Sequence, residues 1–468
     1  MTPRRLRPRL ICVSLIYLWL LLAACQPPAA TATPAAAPQG TATQLPAATE
    51  TPLPASRLGV PEEALVGLTI DVWYPWFDEP AASLFESQVE EFNRANHWGV
   101  LVRAESLQNY AELYEQASAA VHGPNRPDVV IGLPEYAVEW HAQEAVVDLT
   151  PYVTDPLYGL GAAGISDFPS AFWEQDQLGE IRLGVPAQRT TRVLLYNQTW
   201  AAELGFESPP ANADEFERQA CAGNQAMRAD ADPQNDGAGG WLVDTHWATG
   251  LSWLLAFGGG AQEAQGFRFL TQPNIAALQF VKGLAEKNCA WQGQGEYPLQ
   301  EFVERRALFA VAALEDLPDL ARAFAAAGSR DDWTVLPFPG PEGDALVVYG
   351  SSYILFESDE ATQLAAWLFV RFLLEPDNQA GWVNTAGLFP LQASTMGLLA
   401  DYQAGHPQWG QAVNLLPQGR PTPGLAGWRT MRVALGDGFA FMFRVDTPVG
   451  RVPEILAQLD AVATDLNE

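Results

Sequence analysis

The chain has 468 residues, 55 of them acidic and 26 basic, for a formal net charge of -29. So acidic a surface excludes binding nucleic acid or anionic lipid through its face. Its length leaves room for two lobes with substantial cores rather than one domain of ordinary size.

At the N-terminus Arg4, Arg5, Arg7 and Arg9 precede an apolar run from Leu10 to Leu22 that ends in Ala23-Ala24-Cys25. A charged start, an apolar stretch and small residues before a cleavage point predict a signal peptide over 1–24. The run of about 13 residues falls short of the roughly 20 needed to span a bilayer. Leu22-Ala23-Ala24-Cys25 resembles the bacterial lipobox, which implies a membrane attachment through a lipidated Cys25, stable when two or more acyl chains are present. Removing the signal takes away four bases and no acid, moving the formal charge from -29 to -33.

Residues 25–60 read as the lipidated cysteine and a disordered tether, because from Gln26 to Ser56 the composition is Pro, Ala and Thr with Glu50 the only charge. The body follows. Leu68, Ile70 and Val72 alternate with polar residues as a strand, stopped by Trp73-Tyr74-Pro75-Trp76. Phe85, Val89 and Phe92 recur at helical spacing, Val100 to Val102 starts a second strand, Tyr110 to Val121 is helical, and Val129 to Ile131 is a third strand. This β-α alternation predicts a mainly parallel sheet flanked by helices, with ligands meeting the loops at the carboxyl ends of its strands. Trp76, Glu135 and Tyr136 sit on those loops. Further on, Val193 to Tyr196 is a strand, Asp214 to Arg228 helical, Val347 to Phe356 one strand, and Ala361 to Leu374 and Val452 to Leu466 are amphipathic helices. Cys221 and Cys289 are the only cysteines of the exported body, and in an oxidising compartment they are expected to pair, two buried thiols being the alternative.

No catalytic set emerges. The five histidines are scattered, there is no nucleophile elbow, phosphate loop or dinucleotide fingerprint, and no acid pair singles itself out in so acidic a chain. Asp232 to Gly237 faintly suggests a calcium loop, but Val243 stands where the closing Glu belongs, so a solvated turn is the better reading. Neither cofactor nor metal is expected. Several of the 16 tryptophans lie beside Gly, Pro or polar residues, namely Trp73, Trp76, Trp247, Trp253 and Trp428. Indole faces suit the apolar face of a sugar ring, and flanking acids and amides suit its hydroxyls.

From Leu68 to Leu466 the sequence resembles the extracellular solute-binding proteins of family 1, the sugar-binding components of ATP-driven importers. The resemblance lies in the order and spacing of Ile70-Asp-Val-Trp73-Tyr-Pro-Trp76, Glu91-Phe92-Asn93, Pro127-Asp128-Val129-Val130 and Val147-Asp-Leu-Thr-Pro-Tyr152. It continues in Gly184-Val185-Pro186, Leu195-Tyr196-Asn197, Glu203-Leu-Gly205, Pro209-Pro210, Asp214-Glu215-Phe216, Ala366-Trp367, Phe372-Leu373, Gln379 and Thr385-Ala-Gly387-Leu-Phe-Pro390. It implies an α/β fold of the type II periplasmic-binding-protein kind, two lobes hinged about an interlobe cleft, as a monomer serving an importer's permease. The lobes would comprise 66–188 with 345–374, and 189–338 with 376–468. Crossings would lie near Pro186 to Thr190, Phe338 to Leu346 and Leu374 to Asp377. Carried over by position, the ligand site would draw on Trp76, Glu135, Tyr136, Arg189, Thr190, His246, Trp247, Trp253, Glu315, Trp428 and Arg429, with Gly350, Ser351 and Ser352 as its floor. Leu314-Glu315-Asp316 departs from the Gly-x-Trp often found there, which removes a stacking platform. The expected function is capture of a small solute, foremost a carbohydrate, for an importer. A glycan-active extracellular enzyme and a sensory binding protein on the same fold are the alternatives.

Overall fold

The computed structural model describes residues 55–466 except 77–78, 265, 294–298 and 342. The signal peptide, Cys25 and the tether up to residue 54 lie outside the described residues. The chain end of the expected tether, by contrast, is part of the body. Ser56 Oγ and the Arg57 amide both donate to Asp155, at 3.1 and 2.7 Å, and Leu58 and Val60 pack on the core.

In chain order the strands of the two main sheets are β1 Thr69–Tyr74, β2 Leu101–Ser106, β3 Val129–Gly132, β4 Val185–Pro186, β5 Thr190–Asn197, β6 Gly239–Leu242, β7 Ala290–Trp291 and β8 Ala307–Ala313. They continue with β9 Trp333–Leu336, β10 Phe338–Pro339, β11 Asp344–Tyr349, β12 Ser352–Leu355 and β13 Gly419–Pro421. The longer helices are α1 Glu79–Ala95, α2 Tyr110–Ala120, α3 Pro134–His141, α4 Ala213–Ala229, α5 Trp247–Ala256, α6 Gln272–Glu286, α7 Glu360–Leu373, α8 Pro376–Ala386, α9 Trp428–Met442 and α10 Val452–Asp465.

The first lobe holds the sheet β2-β1-β3-β12-β4, in which β1 runs parallel to β2 and β3 while β12 runs antiparallel to β3 and β4. In β1 the side chains of Ile70, Val72 and Tyr74 are buried on one face, and those between them lie half-buried on the other, where Trp73 packs against a second core cluster. In α1, Phe85, Val89 and Phe92 form the buried stripe. Asn109 caps α2 by accepting from the Glu112 amide at 2.9 Å, satisfying a helix N–H that would otherwise lack a partner. The second lobe holds β7-β6-β8-β5-β11-β10, with β9 added to β5 and β13 to β11. β5 is its centre, antiparallel to β8, β9 and β11. A disulfide joins Cys221 of α4 to Cys289 at the start of the sheet's edge strand, with Cα atoms 4.3 Å apart. The 232–237 segment is an exposed turn closed on itself, Asn235 Nδ2 donating to Asp230 at 2.8 Å. Among the described residues no group of three or more His, Cys, Asp or Glu could hold a metal ion, and no helix is long and apolar enough to cross a membrane.

Two expected boundaries move. The stretch read as one strand over 347–356 is two strands in different sheets. Val348 and Tyr349 pair with Thr191 and Thr190 of the second lobe, whereas Ser352 to Leu355 pair in the first. The passage is therefore at Gly350-Ser351 instead of 338–346, and 345–349 belongs with the second lobe. Gly350 permits it, with φ +150° and its backbone so close to Gln188 that an added Cβ would lie 2.1 Å from the Gln188 carbonyl oxygen. The other change concerns α8, assigned above to the second lobe. It packs on α1, where Gln88 donates to the Asn378 carbonyl at 3.0 Å, and Trp382 meets Trp76 at 4.6 Å between ring centroids. The third passage comes after it, where the Phe389 amide donates to the Arg189 carbonyl at 3.0 Å.

Candidate functional site

The three passages between lobes are bonded to one another. The Ser351 carbonyl accepts from the amides of Ala187 and Gln188, at 2.9 and 3.1 Å, and from Arg189 Nη1. Arg189 is wholly buried. Its guanidinium also donates to the carbonyls of Gln188 and Phe172, to Ser352 Oγ at 3.1 Å and to Asp176 at 2.8 Å. Burial pushes the Asp176 carboxyl up from its ordinary range, and the positive charge of Arg189 opposes that shift.

Over this floor lies a cleft of about 330 Å³ lined from both lobes. The first lobe brings Trp76, Tyr110 and the start of α3, including Glu135; the passages bring Gln188, Gly350 and Leu388. The second lobe brings Thr190, His246, Trp247, Glu315, Tyr349, Thr422, Trp428 and Arg432. Trp247 and Tyr349 meet edge to face at 5.1 Å, and Trp428 meets Trp247 the same way at 5.8 Å. Trp428 is only 1% exposed, so it buttresses Trp247 more than it offers a face of its own.

Seven of the expected side chains meet here: Trp76, Glu135, Thr190, His246, Trp247, Glu315 and Trp428. The others are elsewhere. Tyr136 packs into a separate core cluster with Trp140 and donates to the Tyr110 carbonyl. Trp253 is fully buried between Trp241, Phe216 and Phe338. Arg429 lies over the Tyr114 ring at 4.0 Å. Arg189, Ser351 and Ser352 are spent on the hinge. Arg432, Tyr110, Gln188, Tyr349, Leu388 and Thr422 are lining residues that the sequence reading did not single out.

The electrostatics of the lining are specific. Glu135 is paired across the cleft with Arg432 at 3.1 Å; burial raises its carboxyl, against the pull of that guanidinium. Glu315 accepts from the Thr190 hydroxyl. It is exposed, yet desolvation by the protein around it raises its carboxyl. His246 caps α5, its Nδ1 accepting from the Ala248 amide at 3.2 Å. Burial, with Arg192 and Arg432 nearby, pulls the imidazole down to about 3. The ring is thus neutral, and with Nδ1 accepting, its proton belongs on Nε2, which supplies a donor.

A depressed histidine contributes stability that is present above the unfolded value near 6.5 and is lost as pH falls toward its folded value of about 3. His246→Asn keeps a capping acceptor and removes the titration. The melting temperature of this variant should match the parent at pH 7 and exceed it at pH 4; parallel melting curves across that range would rule out a buried neutral His246.

The family model of bacterial extracellular solute-binding proteins matches residues 87–405. A protein of Brucella abortus (strain 2308), named only as a candidate binding protein, is 23% identical over 313 residues, 65% of this chain and 72% of that one. Among solved structures, the fold is similar to the sugar-binding protein MalE from Xanthomonas citri (TM-score 0.71, 19% identity, 85% of this chain and 98% of that one). It is also similar to the cyclic alpha-maltosyl-1,6-maltose binding protein from Arthrobacter globiformis (0.69, 19%, 85% and 99%). A third is UgpB from Mycobacterium tuberculosis, solved with glycerophosphocholine (0.65, 19%, 86% and 99%). With two α/β lobes, three bonded passages and a lined cleft between them, the chain belongs to the bacterial extracellular solute-binding protein family.

Proposed function

We propose that the protein captures a saccharide between its lobes and delivers it to the permease of an ATP-driven importer, without chemically altering it. The observation that carries this reading is the lining itself. Half-buried faces of Trp76 and Trp247 stand beside Glu315, His246, Gln188, Thr190 and Thr422, the combination of apolar platform and aimed polar groups that a sugar ring requires. The sugar-binding relatives support it by analogy of fold. The cleft lies at the small end of the roughly 300–1,000 Å³ typical of small-molecule sites, which suits a short saccharide. In this reading acyl chains on Cys25 tether a monomeric receptor at the outer face of the cell membrane.

The test is a thermal-shift screen of the body against saccharides, amino acids, peptides and polyamines, since a ligand bound only to the folded state raises its stability by mass action. A saccharide should raise the melting temperature, and Trp247→Ala should cost about 2–4 kcal/mol of its binding energy by calorimetry. Stabilisation by another class alone, or parental affinity in Trp247→Ala, would overturn the assignment.

A further inference from the structure

The charges of the cleft do not balance. Its lining carries two carboxylates, Glu135 and Glu315, one guanidinium, Arg432, and an imidazole held neutral. Arg432 is committed to Glu135 at 3.1 Å. Glu315 accepts a hydroxyl hydrogen bond from Thr190, and among the described residues no Lys, Arg or His forms an ion pair with it. The nearby cation Arg192 is held by Asp244 at 3.2 Å, and Asp316 beside it is tied to the Ala313 amide at 3.1 Å. Glu315 thus faces the cleft with a solvent-reachable side and no ion-pair partner of its own, Arg192 acting on it only from a distance.

Aromatic rings line the same cleft from both lobes. Trp76, Trp247 and Tyr349 are each partly open, and the negative faces of such rings attract cations. The exported body's formal charge of -33 draws cations toward it from a distance as well. A neutral sugar can donate hydroxyls to Glu315 but leaves the surplus negative charge in a partly desolvated site. A protonated amine donates the same hydrogen bonds and cancels the charge. An anionic solute would meet an unbalanced carboxylate instead.

Building on the capture reading above, we propose that the preferred ligand is a saccharide bearing a free amine, its ammonium group seated on Glu315 and its ring against the indole wall. The protein surrounding the cleft, whose desolvation raises the Glu315 carboxyl, makes such a charge match count for more than it would in open water.

Matched pairs decide the matter by calorimetry on the folded body: glucosamine against N-acetylglucosamine, and chitobiose against its diacetylated form, with glucose as the neutral reference. The free amines should bind at least about tenfold more tightly than their acetylated partners, the size of a charge-assisted advantage. Glu315→Gln keeps an acceptor for Thr190 and removes the charge, and should bring that ratio to about one whatever it does to the affinity for each sugar by itself. Neutral sugars binding the parent protein as tightly as the amines would overturn the charge proposal and leave saccharide capture standing. An amine preference that survives in Glu315→Gln would overturn the assignment to Glu315. Failure of every saccharide, with another solute class binding, would remove the capture reading itself.

Discussion

Arg189→Leu is expected to cost about 3–5 kcal/mol of folding stability, the loss seen when one partner of a buried ion pair is removed and the other loses its direct counter-charge; Arg182 also acts on Asp176 but makes no ion pair with it. Both side chains are excluded from solvent, Arg189 at 0% and Asp176 at 1% exposed, 2.8 Å apart. The guanidinium also serves three carbonyls, those of Phe172, Gln188 and Ser351. This separates the site from an ordinary buried pair. Replacing a pair by apolar residues of similar volume is often close to neutral, yet the double variant Arg189→Leu/Asp176→Leu should recover less than half of the loss, because those carbonyls would still lack their donor. Urea unfolding with an unchanged denaturant slope measures both values. A loss below about 1 kcal/mol in the single variant, or full recovery in the double, would show that the guanidinium is not the fastening between passages.

Arg432→Ala acts on closure. Glu135 on α3 and Arg432 on α9 belong to different lobes, and the carboxylate is only 5% exposed. Two further contacts cross at the same place, the Gly427 amide donating to Glu139 at 3.2 Å and Arg429 lying over Tyr114. Truncating Arg432 leaves Glu135 buried and unpaired, at a cost of about 2–5 kcal/mol to the closed arrangement. The open arrangement bears none of this cost, so the population shifts toward it, and affinity for a ligand that requires closure falls with the closed fraction. Fluorescence transfer between dyes on the two lobes should report a more open protein. Glu135→Gln in the Arg432→Ala background should restore part of the closed population, since a neutral amide needs no counter-charge. Unchanged transfer in Arg432→Ala would mean that the pair contributes nothing to closure.

Much of the fold was legible because it is local. The stripe of Phe85, Val89 and Phe92 and the alternation of Ile70 and Val72 report burial directly, and both are buried as read. The parallel core of the first sheet follows from strand–helix alternation. Its antiparallel member, β12, and the strand β4 beyond it come from residues 352–355 and 185–186, far along the chain, and no local pattern encodes such pairing. The misassignments on helices have one geometric cause. An α-helix turns about 100° per residue, so neighbours point apart: Glu135 faces the cleft and Tyr136 the core. Arg432, four residues after Trp428, shares its face, while Arg429 is turned toward Tyr114. Trp253 follows Trp247 by six residues, which turns it about 120° round α5 and into the core. Applying the helical period to the candidate residues would have separated these. The hinge role of Arg189 had no such signal, because its partners lie on three separate segments.

Gln188, Gly350 and Leu388 are at once part of the passages between lobes and part of the cleft's lining. A solute resting there touches the same backbone whose torsions change when the lobes swing, so occupancy and closure are read by one set of atoms and no relay through the protein has to carry the message.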